Sequence, residues 1–216
     1  MQHPVTPLPR RPSPLGGAKP ATSQLGQFAS PEFGVDDILP YDPTRFPLTL
    51  LIVGINPGLW TAAVNAPFAR PGNRFWPSLV EAGLIPGPVD VSRGMPAGLS
   101  SQLLSRGIGL TNLVARPTAR ADELSREELK EAAARLVGRV RELKPRAVAI
   151  AGITAFRDGF EQRRAAIGRQ GTEAITGWPD GTALWVVPQP SGLNAHYQIP
   201  DLARIWREVW ADAQAR

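Results

Sequence analysis

Cysteine is absent from this 216-residue chain, which removes disulfides, thiol nucleophiles, zinc ribbons and iron–sulfur clusters together. Histidine is nearly as scarce. His3 and His196 cannot build a histidine-rich site, so neither a metal nor another cofactor is expected. Lysine occurs only at Lys19, Lys130 and Lys144, so the net charge of +5 rests on arginine. That balance favours polyanionic partners, although GC-biased coding produces the same excess. No apolar run is long enough to span a bilayer and the N-terminus lacks the apolar core of a secretory signal, so no membrane association is expected. A reducing, cytoplasmic location fits. The Gly-x-Gly-x-x-Gly fingerprint of dinucleotide binding is also missing, because Asn56-Pro57 interrupts the stretch from Gly54 to Gly58. No helix is expected directly after Gly58 either, and both features argue against a Rossmann enzyme.

Proline and glycine, by contrast, are plentiful, with seven prolines between Met1 and Pro31. That segment has few large apolar residues to offset its ordering entropy, so residues 1–33 read as a disordered arm and 34–216 as the folded domain.

Within the domain, Leu48-Thr49-Leu50-Leu51-Ile52-Val53 reads as a buried parallel strand, stopped by Gly54-Ile55-Asn56-Pro57-Gly58. A Gly/Pro-punctuated loop is expected over 59–73, a helix over 74–82 closed by Gly83, and a short helix near 97–104. A strand follows over 107–111. Ser125-Arg126-Glu127-Glu128 forms a capping box, opening a helix that Pro145 ends. Strands over 146–151 and 182–187, a helix over 154–160 and a last helix opened by Pro200 complete the pattern. Alternating strands and helices predict an α/β fold, a three-layer αβα sandwich around a mainly parallel sheet of four to five strands.

Loops after Val53, Leu110 and Val187 then emerge at one sheet edge, where α/β folds place ligands. Asn56 is the polar side chain of the first; its amide can orient a water or a carbonyl but cannot take a proton at neutral pH. Singly, each neighbour has an ordinary alternative. Phe68 could be a packing aromatic, Asn73-Arg74-Phe75-Trp76 a helix start, Arg70 and Arg116 solvated charges, and Leu193 a cap on a local cluster. A lone histidine such as His196 is commonly structural or exposed.

In combination they are specific. Gly54-Ile55-Asn56-Pro57-Gly58, Pro67-Phe68-Ala69-Arg70-Pro71-Gly72-Asn73-Arg74-Phe75-Trp76, Thr111-Asn112-Leu113-Val114-Ala115-Arg116-Pro117-Thr118 and Pro190-Ser191-Gly192-Leu193 stand in the order and spacing of one family. From Val35 to Ala211 the chain resembles the mismatch-specific uracil-DNA glycosylases, a branch that sits with the thymine-DNA glycosylases in the uracil-DNA glycosylase superfamily. The resemblance implies a monofunctional hydrolase that flips uracil, or thymine or a damaged pyrimidine, from mismatched double-stranded DNA. It would cut the N-glycosidic bond to start base-excision repair. It would act as a monomer and leave abasic sites to downstream repair enzymes.

Residue by residue, the resemblance makes Asn56 the catalytic residue that positions the attacking water. Gly54, Ile55, Pro57, Gly58, Thr61, Phe68, Asn112 and Gln189 would form the base pocket, with main-chain amides near Ile55 and Phe68 meeting the pyrimidine carbonyls. Pro190, Ser191, Gly192, Leu193, Asn194 and His196 would carry the wedge that fills the gap in the duplex. Arg70, Arg74 and Arg116 are the candidates for phosphate contacts, which would make binding fall steeply with salt. The chain departs from the family pattern at Gln189, where an asparagine is common, and at Asn194-Ala195-His196-Tyr197, where an arginine often follows the leucine. His196 and Tyr197 are therefore candidates for the widowed guanine. Asn112 replaces the lysine of some bacterial members, and Trp60-Thr61 replaces smaller residues. The changes at Gln189 and Ala195 leave a rival reading, a mismatch-binding module without catalysis.

Overall fold

The computed structural model describes residues 5–216, so His3 lies outside the described residues. Four short aliphatic runs become the central strands: β1 (Leu50–Gly54), β2 (Ile108–Asn112), β3 (Ala147–Ala151) and β5 (Ala183–Val187). Nearly every residue in them is buried, which is why they show no alternation: a parallel strand covered on both faces needs apolar side chains on both. They pair in parallel in the order β2-β1-β3-β5, and β4 (Gly168–Gln170) adds antiparallel to β5. The expected mainly parallel sheet is therefore present, with five strands. The Gly-Arg-Gln of β4 carries no apolar signal, and such a short, charged strand blunts the sheet edge.

The described residues form six α-helices, five before β5 and one after it: α1 (Leu59–Val64), α2 (Phe75–Glu81), α3 (Leu99–Ser105), α4 (Arg126–Leu143), α5 (Ile153–Gly159) and α6 (Ile199–Gln214). From β1 the chain moves outward to β2, then returns past β1 to β3. Right-handed crossovers in opposite directions lie on opposite faces, so α2 and α4 cover different sides. The contacts agree, because α2 packs with α6 and α4 with α5. In α4 the Ser125 hydroxyl accepts from Glu128 N–H at 3.1 Å and Glu128 reaches back to Ser125 N–H at 3.0 Å, as the capping box requires. Lys144, left-handed at φ 46°, ends that helix one residue before Pro145.

Two expectations are corrected. The segment 59–73 begins as a helix rather than a loop: Gly58 is the extended N-cap, its carbonyl accepts from Ala62 N–H at 3.0 Å, and Asn65 closes the turn at φ 48°. Six helical residues bracketed by Gly and Asn carry too little periodicity to be read from the sequence. A helix thus does follow Gly58 directly, but the dinucleotide fingerprint still lacks its second glycine, since that position is Asn56.

The proline-rich arm, from Val5 on, is a strap. Leu8 N–H donates to Leu39 O at 2.8 Å and Tyr41 N–H to Thr6 O at 2.9 Å, while Arg10 donates to the carbonyls of Asp36 and Asn65. Burial pulls the Arg10 guanidinium below its ordinary pKa, against the attraction of Asp36 and Asp37. Phe28 is buried against Ala62 and Ala63 of α1. A few anchors suffice here because proline-rich chain is already extended and pays less ordering entropy, which composition alone does not weigh.

Candidate active site

The reversal of direction between β1 and β3 opens a crevice at their carboxyl ends. A cavity of about 730 Å³ lies there, lined among others by Asn56, Phe68, Asn112, Thr118, Gln189 and Leu193. The loops after β1 and β2 are stitched together beside it: Leu113 N–H donates to Gly54 O at 2.8 Å, Val114 N–H to Ile55 O at 2.9 Å and Thr118 N–H to Pro57 O at 3.0 Å. This places Asn56 against residues about sixty positions away.

The Asn56 amide has one orientation. Its Nδ2 donates to Arg116 O at 2.9 Å and to Thr118 Oγ1 at 2.7 Å, and the Thr118 hydroxyl donates onward to Arg120 O at 2.7 Å. Reversing the amide would set its oxygen against a carbonyl, so the hydrogen-bond network decides the assignment. Oδ1 has no partner among the described residues and sits on a side chain that lines the cavity. Thr118, only 3 % exposed, is a site residue whose role the motif from Thr111 to Thr118 does not reveal.

Phe68 lines the same cavity. Phe68 is left-handed at φ 56°, a conformation costing an aromatic residue on the order of 1 kcal/mol. The surroundings enforce it. Trp76 Nε1 donates to Pro67 O at 2.9 Å, Ala69 N–H donates to the Thr61 hydroxyl at 3.3 Å, and the Phe68 ring stacks on Phe75 with centroids 3.9 Å apart. Phe68 is thus both a packing aromatic and a ring on the cavity wall. A Cβ at Gly54 would lie 2.5 Å from Asn112 Oδ1 and 3.3 Å from the Phe68 ring, so a side chain there would displace the Asn112 amide. Ile55 lines the cavity and packs against Gly152, where a Cβ would meet its Cδ1 at 2.5 Å. The Asn112 side-chain amide and the Phe68 main-chain N–H have no hydrogen-bond partner among the described residues, so both are free for a ligand. Pro57 contributes its carbonyl to the stitch rather than a side chain to the cavity, while Gly58 and Thr61 line it. Trp60 donates its indole N–H to Ser92 O at 3.0 Å and does not line the cavity.

The loop after β5 brings Gln189, Pro190, Ser191, Leu193 and Asn194 to the cavity mouth. Leu193 is 83 % exposed, the most exposed large apolar side chain among the described residues. His196 is exposed on the same loop, its N–H donating to Asn194 Oδ1 at 3.0 Å.

Of the three arginines expected at phosphates, one is free. Arg70 is exposed at the cavity rim with no acidic partner among the described residues. Arg116 instead forms a two-pronged pair with Glu128, Nε to Oε1 at 2.9 Å and Nη2 to Oε2 at 3.0 Å. The Arg116 hydrogen bond holds the Glu128 carboxyl below its usual range and raises the guanidinium's pKa. The Arg116 main-chain carbonyl, by contrast, meets the site directly, accepting from Asn56 Nδ2. Arg74 is likewise engaged within the protein, on main-chain carbonyls of the loop after β5.

The carboxyl end of β3 is a fourth contributor the sequence reading does not name, bringing Ala151 and Thr154 to the cavity. Gly152-Ile153-Thr154 after an apolar run was the available signal. Two carboxylates, Asp122 and Asp158, also line the cavity, each paired with an arginine, Arg120 and Arg126 respectively.

A family model described as the uracil DNA glycosylase superfamily matches residues 43–214. Among solved structures, the chain is similar to a Methanosarcina acetivorans protein whose solution NMR structure carries a provisional uracil DNA glycosylase label. The two are 19 % identical with a TM-score of 0.51, over 82 % of this chain and 96 % of that one. At that identity the likeness is one of fold.

Proposed function

The chain belongs to the uracil DNA glycosylase superfamily, and we propose that it is a monofunctional DNA glycosylase acting on uracil in mismatched double-stranded DNA, G·U above all. Thymine and damaged pyrimidines are its secondary substrates. A mispaired base is the cheapest to extrude, since flipping costs a few kcal/mol and least where pairing is already poor. Once flipped, the pyrimidine lies against the Phe68 ring. The Asn112 amide and the Phe68 N–H are the free groups suited to its polar edge. Leu193 enters the space the base has left and restores part of the lost stacking.

Bond cleavage leaves an oxocarbenium-like sugar and puts negative charge on the pyrimidine. Fixed N–H donors stabilise that charge better than they stabilise the neutral base, which is the source of catalysis. Water then needs orientation more than activation. The observation that carries this reading is the Asn56 amide, locked through Nδ2 with Oδ1 free to accept a hydrogen bond from the attacking water. Lacking a general base at this position, the enzyme forgoes a factor of about 10²–10⁴ and is slow. It works as a monomer in the cytoplasm, and its product is an abasic site for downstream repair enzymes.

The test is release of free uracil from a G·U duplex in the presence of a metal chelator, with the abasic site revealed by alkaline strand cleavage. Uracil release is the expected outcome; no abasic site in any uracil-containing duplex overturns the proposal. A panel of duplexes with one modified base opposite each normal base then ranks the substrates.

A further inference from the structure

Three carbonyls of the loop after β5 converge on one guanidinium. Arg74 Nη1 donates to Asn194 O at 2.6 Å and Tyr197 O at 2.7 Å, and Nη2 donates to Gly192 O at 3.3 Å. The Arg74 main chain joins the same contact, its N–H donating to Pro190 O at 2.8 Å. The backbone of the loop also seats directly on the turn before Arg74: a Cβ at Gly192 would lie 2.6 Å from Gly72 O. Within the loop, Leu193 N–H donates to Ser191 Oγ at 3.2 Å and Asn194 N–H to Ser191 O at 3.0 Å. All these contacts surround Leu193, yet Leu193 itself touches solvent over most of its surface.

A leucine exposed over most of its surface is not held in place by burial. A planar fork of five donors can hold it indirectly, by fixing several carbonyls of its loop at once, which a lysine's point-like ammonium cannot do. Arg74 is itself anchored, as the residue that opens α2, whose helix packs on α6. From this geometry we infer that Arg74 is a positioning residue for the wedge: it presents Leu193 in a preformed, inserting conformation before DNA is met. Its guanidinium acts through the loop, without touching base or phosphate. Preorganisation of this kind lowers the entropy lost when the wedge enters the duplex, so its effect falls on base extrusion rather than on bond cleavage.

The inference rests on the glycosylase reading for its kinetic test but has a second readout that does not. In the free protein, Arg74→Ala should speed hydrogen exchange of the amides over 191–197 while leaving those of α4 unchanged. Unchanged exchange in the loop overturns the inference whatever the enzyme's substrate. In single-turnover assays, Arg74→Ala should slow uracil release from a paired site by about 10- to 100-fold, the loss expected from removing charge-assisted hydrogen bonds. Release from a uracil placed in an unpaired bubble should be nearly unaffected, because nothing there must be pushed out. Arg74→Lys should fall between wild type and Arg74→Ala. Combined with Leu193→Ala, Arg74→Ala should add little further loss, since both remove one device. Equal slowing on paired and bubble substrates would show a role in general structure and overturn the inference. Absence of uracil release by the wild-type protein would overturn the glycosylase reading, leaving loop exchange to decide this one.

Discussion

The wall of the cavity that carries Asn56 is stitched to its neighbour through main-chain bonds, Leu113 to Gly54, Val114 to Ile55 and Thr118 to Pro57. The wall that carries Leu193 instead depends on the side chain of Arg74 and on a close seat over Gly72. The first continues a parallel sheet, where neighbouring strand ends are forced together by register and their amides pair with little help from side chains. The second is the loop past β5, where a single main-chain bond, Arg74 N–H to Pro190 O, reaches the neighbouring segment and the Arg74 side chain supplies the rest of the hold. A main-chain wall is expected to be rigid and sensitive only where a side chain enters the site; a side-chain wall should depend on few positions and give way locally.

The largest effect that separates the two walls is expected at Asn56. Asn56→Ala should cut uracil release by about a hundredfold or more, the scale of a misplaced reactant, while duplex affinity is retained; equal turnover would remove the assigned role. Asn56→Asp sharpens the point. A carboxylate has no N–H for Arg116 O and Thr118 Oγ1, so the added base arrives in a socket built for a donor. No gain in rate is expected, and a rate well above wild type would show that orientation is not what this wall supplies.

Next comes Gly54→Ala. Its Cβ would displace the Asn112 amide and press on Phe68, lowering kcat/KM by about 10- to 100-fold. Thermal unfolding of the same variant shows whether the damage stays in the pocket.

On a mismatched substrate Leu193→Ala should be milder. It should slow release from a matched pair more than from a mismatch, and leave stability within about 0.5 kcal/mol because the side chain is exposed. Equal rates on both duplexes would dismiss the wedge.

The smallest effect concerns charge. Arg70→Ala should reduce the salt slope of DNA binding by about one, with the rate of bound substrate unchanged. Arg116→Ala should leave that slope alone, since Glu128 already balances its charge. A lowered slope in Arg116→Ala would restore it as a phosphate contact.

Much of the scaffold was legible. The aliphatic runs around Leu50, Ile108, Ala147 and Ala183 had to be buried, and the capping box at Ser125 marked the start of α4 within a residue. The short α1 and β4 were hidden because each has too few residues for a period to register. At the site, the identity of Asn56 and Phe68 could be read, but not their states: the amide's orientation depends on Thr118, and the left-handed Phe68 depends on Thr61, Phe75 and Trp76. Three arginines looked alike in the sequence, and only their partners distinguish them.

By itself, then, the sequence determined the absence of cysteine chemistry, the buried parallel sheet and an amide rather than a base at the end of β1. These follow from composition and from preferences that act over a few neighbouring residues. Tertiary structure decided that residues 5–33 strap α1, that Arg70 has no acidic partner among the described residues while Arg74 and Arg116 are engaged, and that the Asn56 amide is bonded through Nδ2. Each of those depends on hydrogen bonds to distant parts of the chain, 62 positions for Asn56 and Thr118 and 120 for Arg74 and Asn194. A donor's role is set by the acceptor it meets, and for these residues only folding brings the two together.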